Sequence, residues 1–441
     1  MWSLFDPRKA WYATKLGARL KAEAFVFIYV LPRIYCLKSS QALIRLFRVR
    51  SLGSVGSNND IGVWARMAKR FSFLRDILAP LLLLVSGNSY GFADNSETPY
   101  SPKFQEIRGY AVLDSRLFPE EGAFPGQSRH QVSAAVEPEY YIEWPDYTSL
   151  TITPFVRVDA ADSRRTHADL REFLLRIVPG NWMIASGFGK VFWGVTESKH
   201  LVDVINQTDV IEGPAGEDKF GQPMVNLSVT NDWGFVDIFI MPYFRERIFA
   251  SRTGRLRGSL LVDAGQTRFD SGAKRWHPDF AVRYSNSFGN WDAGVSHFYG
   301  TNREPTLSKL GFSADGTLVL IPEYELINQS SVDLQHTSGA WLWKLESLFR
   351  QGQKNELGTE QNFYSFVGGF EYNFFGAFDT NADLGLLAEY MRDSRLNKST
   401  DALQHDVFFG FRLALNDESD TQALAGLVQD LHESTRQFFV E

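Results

Sequence analysis

Residues 131–159 read QVSAAVEPEYYIEWPDYTSLTITPFVRVD, and the alternation in them decides the fold. Val132, Ala134, Val136, Pro138, Tyr140, Ile142 and Trp144 fall on one face of an extended chain, and Gln131, Ser133, Ala135, Glu137, Glu139, Tyr141 and Glu143 on the other. After Pro145-Asp146 the pattern resumes, with Leu150, Ile152, Pro154, Val156 and Val158 opposed to Thr151, Thr153, Phe155, Arg157 and Asp159. A period of two marks strands with unlike faces. The same device recurs over 236–247, 364–374 and 406–416; in the first of these, Val236, Ile238, Ile240, Pro242 and Phe244 oppose Asp237, Phe239, Met241, Tyr243, Arg245 and Arg247.

Alternation also describes a water-soluble sheet with one wet face. Three features favour a membrane. Many strands run to ten residues or more, against the usual 5 to 6 or so in globular proteins. Tight connections (145–146, 179–180, 232–234, 288–290, 338–339) alternate with long ones (195–222, 248–275, 301–323, 353–360, 394–404), as short periplasmic turns alternate with long outer loops. Aromatic residues crowd the tight turns, Trp182, Trp233, Trp291, Trp341 and Trp343 among them, and rings with one wet edge prefer the interface. No apolar stretch approaches the roughly 18 to 20 residues that a spanning helix needs. The fold expected is all-β: a transmembrane antiparallel up-and-down β-barrel of about sixteen visible strands over 94–441. The sixteenth begins near His432, and too few residues follow for a spanning strand, so eighteen strands are expected in the complete chain.

Charge divides the chain. Residues 1–93 carry 14 Lys+Arg against 4 Asp+Glu, while 94–441 carry 31 against 48. An acidic body argues against nucleic acid, whose phosphates need a basic face. From Met67, a basic start (Lys69, Arg70), an apolar run over 77–85 and small residues at Gly91 and Ala93 make 67–93 a secretory signal peptide. Residues 1–66 read as an upstream extension or a disordered basic segment. The single cysteine, Cys36, lies there, so no disulfide framework is expected in the body.

Gly187-Phe188-Gly189-Lys190-Val191-Phe192-Trp193-Gly194-Val195-Thr196-Glu197-Ser198, followed by His200-Leu201-Val202-Asp203 and 204–209 (VINQTD), resembles a porin-like family of outer-membrane β-barrels of Gram-negative bacteria. The Lys-Val-Phe-Trp-Gly step, 190–194, also resembles one in export and porin-type barrels. The resemblance implies a fold and an outer-membrane location and brings no substrate. Such barrels close on an aromatic last residue, whereas this chain stops at Phe438-Phe439-Val440-Glu441.

Charges on the inner faces are the candidate pore lining: Glu137, Glu139, Arg157, Asp159, Lys190, Asp237, Arg245, Arg247, Arg283, Asp292, Lys344, Glu346, Glu371 and Arg412. An Arg or Lys at mid-bilayer on the lipid side costs about 2–4 kcal/mol, so these residues belong inside. A sixteen-strand barrel is too wide for side chains alone to fill. The third outer loop is long enough to fold inward, which makes Glu197, His200, Asp203, Asp209 and Glu212 a candidate constriction. His200 and Asp203 are at most half a metal site, and the eight histidines form no catalytic motif, so neither a metal, a cofactor nor an enzyme is expected. The function expected is passage of small hydrophilic solutes. A barrel exporting a polymer with partner proteins, and an outer-membrane lipid-modifying enzyme, are the alternatives. Partners implied are outer-membrane lipid, the outer-membrane assembly machinery, the solutes and a second copy in a homo-oligomer.

Overall fold

The computed structural model describes residues 101–441 apart from 214–215, 418–420, 433–434 and 441. The signal segment 67–93, residues 1–66, Cys36 and any strand beyond residue 441 lie outside the described residues. The chain opens with β1 (Phe104–Leu117), β2 (His130–Glu143), β3 (Thr148–Asp159), β4 (His167–Ile177), β5 (Trp182–Gly189), β6 (Gln222–Asn231) and β7 (Gly234–Met241). Two short strands follow, β8 (Leu261–Val262) and β9 (Arg268–Phe269), then β10 (Asp279–Phe288) and β11 (Trp291–Thr301). A hairpin of β12 (Thr306–Phe312) and β13 (Leu318–Tyr324) precedes β14 (Leu326–Ser338), β15 (Trp341–Gln351), β16 (Phe363–Phe374), β17 (Asp383–Asp393), β18 (His405–Ala414), β19 (Gln422–Asp430) and β20 (Arg436–Val440).

Leaving out β8, β9, β12 and β13, the other sixteen strands form one antiparallel sheet in strict chain order. Among the described residues, β1 pairs with β2 and β20 with β19, leaving these two as the sheet's edges. The faces are set by residue type. In β3, Ser149, Thr151, Thr153, Phe155, Arg157 and Asp159 are buried, while the intervening Leu150, Ile152, Pro154, Val156 and Val158 are half-buried on the other face. On that outer face Ile238, Ile240, Phe280, Val282, Val295, Phe409 and Phe411 stand exposed. Removal of such surface from water stabilises by about 25 cal/mol per Å², which lipid supplies here. Tyr147, Trp182, Trp233, Phe288, Trp291, Trp341, Trp343 and Phe375 ring the short-turn end, all exposed. Sixteen antiparallel strands in chain order, short turns at one end, long loops at the other and an aromatic rim describe an outer-membrane barrel of a Gram-negative bacterium.

Two expectations change. The strand read over 236–247 ends at Met241, so Phe244 does not face lipid. It is fully buried against Phe269 and Tyr324 in the outer loops, and Arg245 and Arg247 leave the wall with it. The segment 301–323, read as a loop, holds the β12–β13 hairpin; β8 and β9 add to β13 in parallel. This small outer sheet packs loop against loop.

Candidate functional site

Residues 190–221, between β5 and β6, cross the barrel interior and touch opposite walls. β5 is only eight residues long, so the loop leaves the wall low and enters the lumen directly. Val191, Trp193, Val202, Val204 and Ile205 pack with Met224, Phe239, Met241, Phe298 and Ile327. Leu201 joins Leu348, Phe363, Val367, Met391 and Phe408 farther round. The inner wall therefore carries apolar patches that hold the loop, a feature hidden in sequence by the polar residues between them. Asn206 staples the loop's two ends: its side-chain oxygen accepts from the Val191 N–H (2.9 Å), and its amide donates to the carbonyls of Gly189 (2.9 Å) and Phe220 (2.8 Å).

At the far wall the loop offers backbone donors. Glu346 of β15 accepts from the N–H groups of Val195 (2.7 Å), Thr196 (3.0 Å) and Val202 (3.2 Å) and from the Thr196 hydroxyl (2.8 Å). Glu389 of β17 accepts from the N–H groups of Glu197 and Ser198, both at 2.7 Å, and from the Ser198 hydroxyl. Gly194 makes this approach feasible. Its φ is +151°, and a Cβ there would meet His200 Nδ1 at 2.8 Å and Glu346 Oε1 at 3.0 Å. Glu197 then pairs with Arg412 (2.5 Å) and lies 3.9 Å from Lys344, which with Arg412 also flanks Glu371 at 3.6 Å.

At the near wall the loop offers acids and carbonyls to arginines. Glu212 meets Arg157 (2.6 Å), and its carbonyl accepts from Arg116 (2.7 Å) and Arg165 (3.1 Å). Arg165, in the β3–β4 connection, also binds the Ile211 carbonyl (2.9 Å), Asp159 (2.8 Å) and Asp114 (2.8 Å). Asp209 meets Arg171 at 2.8 Å and His167 at 3.3 Å. Burial alone would raise Asp209; the His167 and Arg171 contacts outweigh it and hold the carboxyl below its usual range. Arg171 reaches this position through a register shift. Pro154 has no N–H for the ladder, Thr153 pairs with Glu172 and Pro154 with Leu170, and Arg171 is left as the extra residue of a bulge. Its guanidinium stacks over Phe155 at 4.4 Å.

Asp209 and Glu212 are thus buried anchors and do not stand as an open charged ring in the pore. Asp203 pairs with Lys219 at 3.2 Å, and His200 lies 3.7 Å from Glu346. On the wall, Arg283 binds Asp333 through two bonds (2.6 and 2.8 Å), Asp237 accepts from Ser228, and Glu139 pairs with Arg108 at 2.6 Å. Glu137 accepts from Tyr110 at 3.3 Å. Lys190 is exposed just past β5. Asp292 sits at the short-turn rim, accepting from Ser287 at 2.5 Å, and not along the lumen. Arg245 sits in the outer loop, bound to Asp169 at 2.5 Å. Glu389, Arg165 and Arg171 carry no sequence motif that marks them as anchors; Pro154 inside a strand is the one available signal, and it points to Arg171. His167, Asp209 and Glu212 bring one ligand atom each within 4.8 Å of one another. Arg157 and Arg171 already supply the positive charge there, which disfavours a metal ion.

No family model and no curated protein matches the chain. Among solved structures, it is similar to OmpT of Vibrio cholerae in its trimer form, at 11% identity and TM-score 0.41 over 76% of this chain and 94% of that one. It is also similar to OprB of Pseudomonas putida, at 9% and 0.37 over 74% and 88%. Wzi of Escherichia coli, a carbohydrate-binding β-barrel involved in group 1 capsule assembly, matches at 8% and 0.33 over 78% and 81%.

Proposed function

We propose that this chain is an outer-membrane channel for small hydrophilic solutes, with residues 190–221 as its constriction. The observation that carries the reading is the tethering of that loop to both walls across an interior too wide for wall side chains to fill. Below the loop the lumen keeps half-buried polar groups, including Glu137, Glu139, Glu172 and Arg176, which suit a hydrated path. The reading gives the histidines no catalytic part: His167 and His200 stand beside anchoring carboxylates. Single-channel recording of refolded full-length protein tests it. Discrete conductance steps are expected, and removal of about ten residues around 211–221 should raise the step while the barrel remains folded. Absence of steps from protein that shows the heat-dependent gel shift of a folded barrel would overturn the reading in favour of a closed or polymer-handling barrel.

A further inference from the structure

We propose that the chamber between the crossing loop and the outer loops binds a small organic anion of sugar-acid size. The inference deepens the channel reading and takes its meaning as a solute site from it. The chamber has a volume of about 460 Å³. Small-molecule sites commonly fall between about 300 and 1,000 Å³. Seven Lys and Arg line it against five Asp and Glu.

Most of these charges are paired. Lys199 meets Asp401 (2.7 Å), Lys219 meets Asp203 (3.2 Å), Arg395 meets Asp393 (2.7 Å), and Arg303 turns to Asp279 (2.6 Å). Arg247, Arg257 and Arg350 differ, since among the described residues none has a carboxylate within ion-pairing distance; Arg257 spends all three nitrogens on the carbonyls of Gly258, Arg252 and Ser259, which leaves Arg247 and Arg350. Arg247 donates from Nε to Gln207 Oε1 and from Nη2 to the Arg303 carbonyl, both at 3.3 Å. Arg350 donates from Nε to Gln329 and from Nη1 to Gln353, both at 2.8 Å. Each is positioned by neutral acceptors and keeps one terminal nitrogen without a hydrogen bond among the described residues. Held this way, each guanidinium keeps its charge and the N–H donors of its free terminal nitrogen for a carboxylate or phosphate. The acids remaining to face these two are Glu217 and Glu304.

Phe192 supplies the apolar half of the site. It is 58% exposed although it lies on the crossing loop, and it lines the same chamber with its ring set edge-on to His200 at 4.7 Å. An exposed apolar ring and unpaired guanidinium groups lining one chamber fit a carbon skeleton carrying an oxyanion better than a bare inorganic ion. A second cavity of about 760 Å³ among the outer loops shares Arg247, Phe249, Ala250, Leu261 and Val262 with the first. Five arginines, Arg247 among them, line it against Glu246, Asp263 and Asp315; Arg245, Arg252 and Arg275 are paired with Asp169, Asp315 and Glu246, so a small positive surplus, five to three, leads to Arg247 and favours anions there.

The test is calorimetric titration of the refolded full-length protein in detergent with glucuronate, and with glucose as the same ring without the charge. Glucuronate is expected to bind at least about tenfold more tightly than glucose, and R247Q/R350Q to weaken it by at least about tenfold. R247K/R350K, which keeps the charge and loses the guanidinium, should fall between. F192A should narrow the preference for glucuronate over inorganic phosphate. Equal affinity for both sugars, no measurable glucuronate binding, or an unchanged affinity in R247Q/R350Q overturns the site. R247Q alone, in an outer loop, keeps the test open if the Arg350 change prevents folding. Binding in detergent needs no conductance, so failure of the channel reading and failure of the site are separately visible.

Discussion

At β1–β4 the crossing loop brings acids to wall arginines, whereas at β15 and β17 it brings backbone N–H groups to wall glutamates. The near wall shares its load: Arg116, Arg157 and Arg165 all meet Glu212, and Arg171 and His167 both meet Asp209. The far wall concentrates it on two carboxylates, Glu346 collecting four donors and Glu389 three. A redundant anchor tolerates loss of one member, and a concentrated one does not. The difference also governs which substitutions are conservative. Asn or Gln can stand in for a carboxylate facing N–H donors, but a guanidinium fork loses its partner's charge.

E346A should have the largest effect on the loop. It strips an acceptor from four donors, at about 1–3 kcal/mol for each group left unsatisfied. The expected outcome is release of the loop's far end, seen as raised single-channel conductance and new proteolytic cleavage near 195–202, with E346Q milder. Conductance and cleavage unchanged in E346A would show that Glu389 and the apolar patches suffice to hold the loop's far end. R165M comes next. Burial of Asp114 and Asp159 without that partner costs about 3–5 kcal/mol, yet Arg157 and Arg116 still grip Glu212. Lower heat resistance on gels with a smaller rise in conductance than E346A is expected; the reverse order would invert the assignment of redundancy. G194A should have a smaller effect on the pore. Its strain, about 1–3 kcal/mol, falls on the far anchor and should give conductance between wild type and E346A.

The two anchors were unequally legible in the sequence. Arg157 and Asp159 on a polar strand face were readable as charges that had to lie inside, and Asp209 and Glu212 as acids of a third loop long enough to fold toward them. The far anchor was not, because its donors are N–H groups that every residue carries, and Gly194 marks their position only once the partner is known. Glu389 sits on the same alternating pattern as Glu371 but has no arginine opposite to give it away. Strand faces, the alternation of short and long connections and the aromatic rim followed from residue type and spacing. The outer sheet did not: β8 and β9 are two residues each, too short to show a period, and the alternation that puts Phe244 on the lipid face runs on past Met241, where the strand ends.

Glu325 sharpens the contrast from outside the pore. It lies between β13 and β14, beyond the spanning strands and fully buried, and burial pushes its carboxyl up to about 7 from an ordinary 4.5. The fold prefers its protonated form, so the stabilisation is fully present below about pH 4.5, declines as pH rises, and is gone above about pH 7. A shift of this size corresponds to on the order of 3 kcal/mol, carried locally by the β12–β13 hairpin. Opening of the hairpin, followed as proteolysis over 302–325, should increase between about pH 5 and pH 8 in the native chain and stay flat in E325Q. Conductance should not differ between the two, because the crossing loop is held by wall carboxylates on its N–H groups and by cations on its own acids, and Glu325 takes no part in holding it. The same pH response in E325Q as in the native chain would place the titrating group elsewhere, and a conductance change in E325Q would join the hairpin to the constriction.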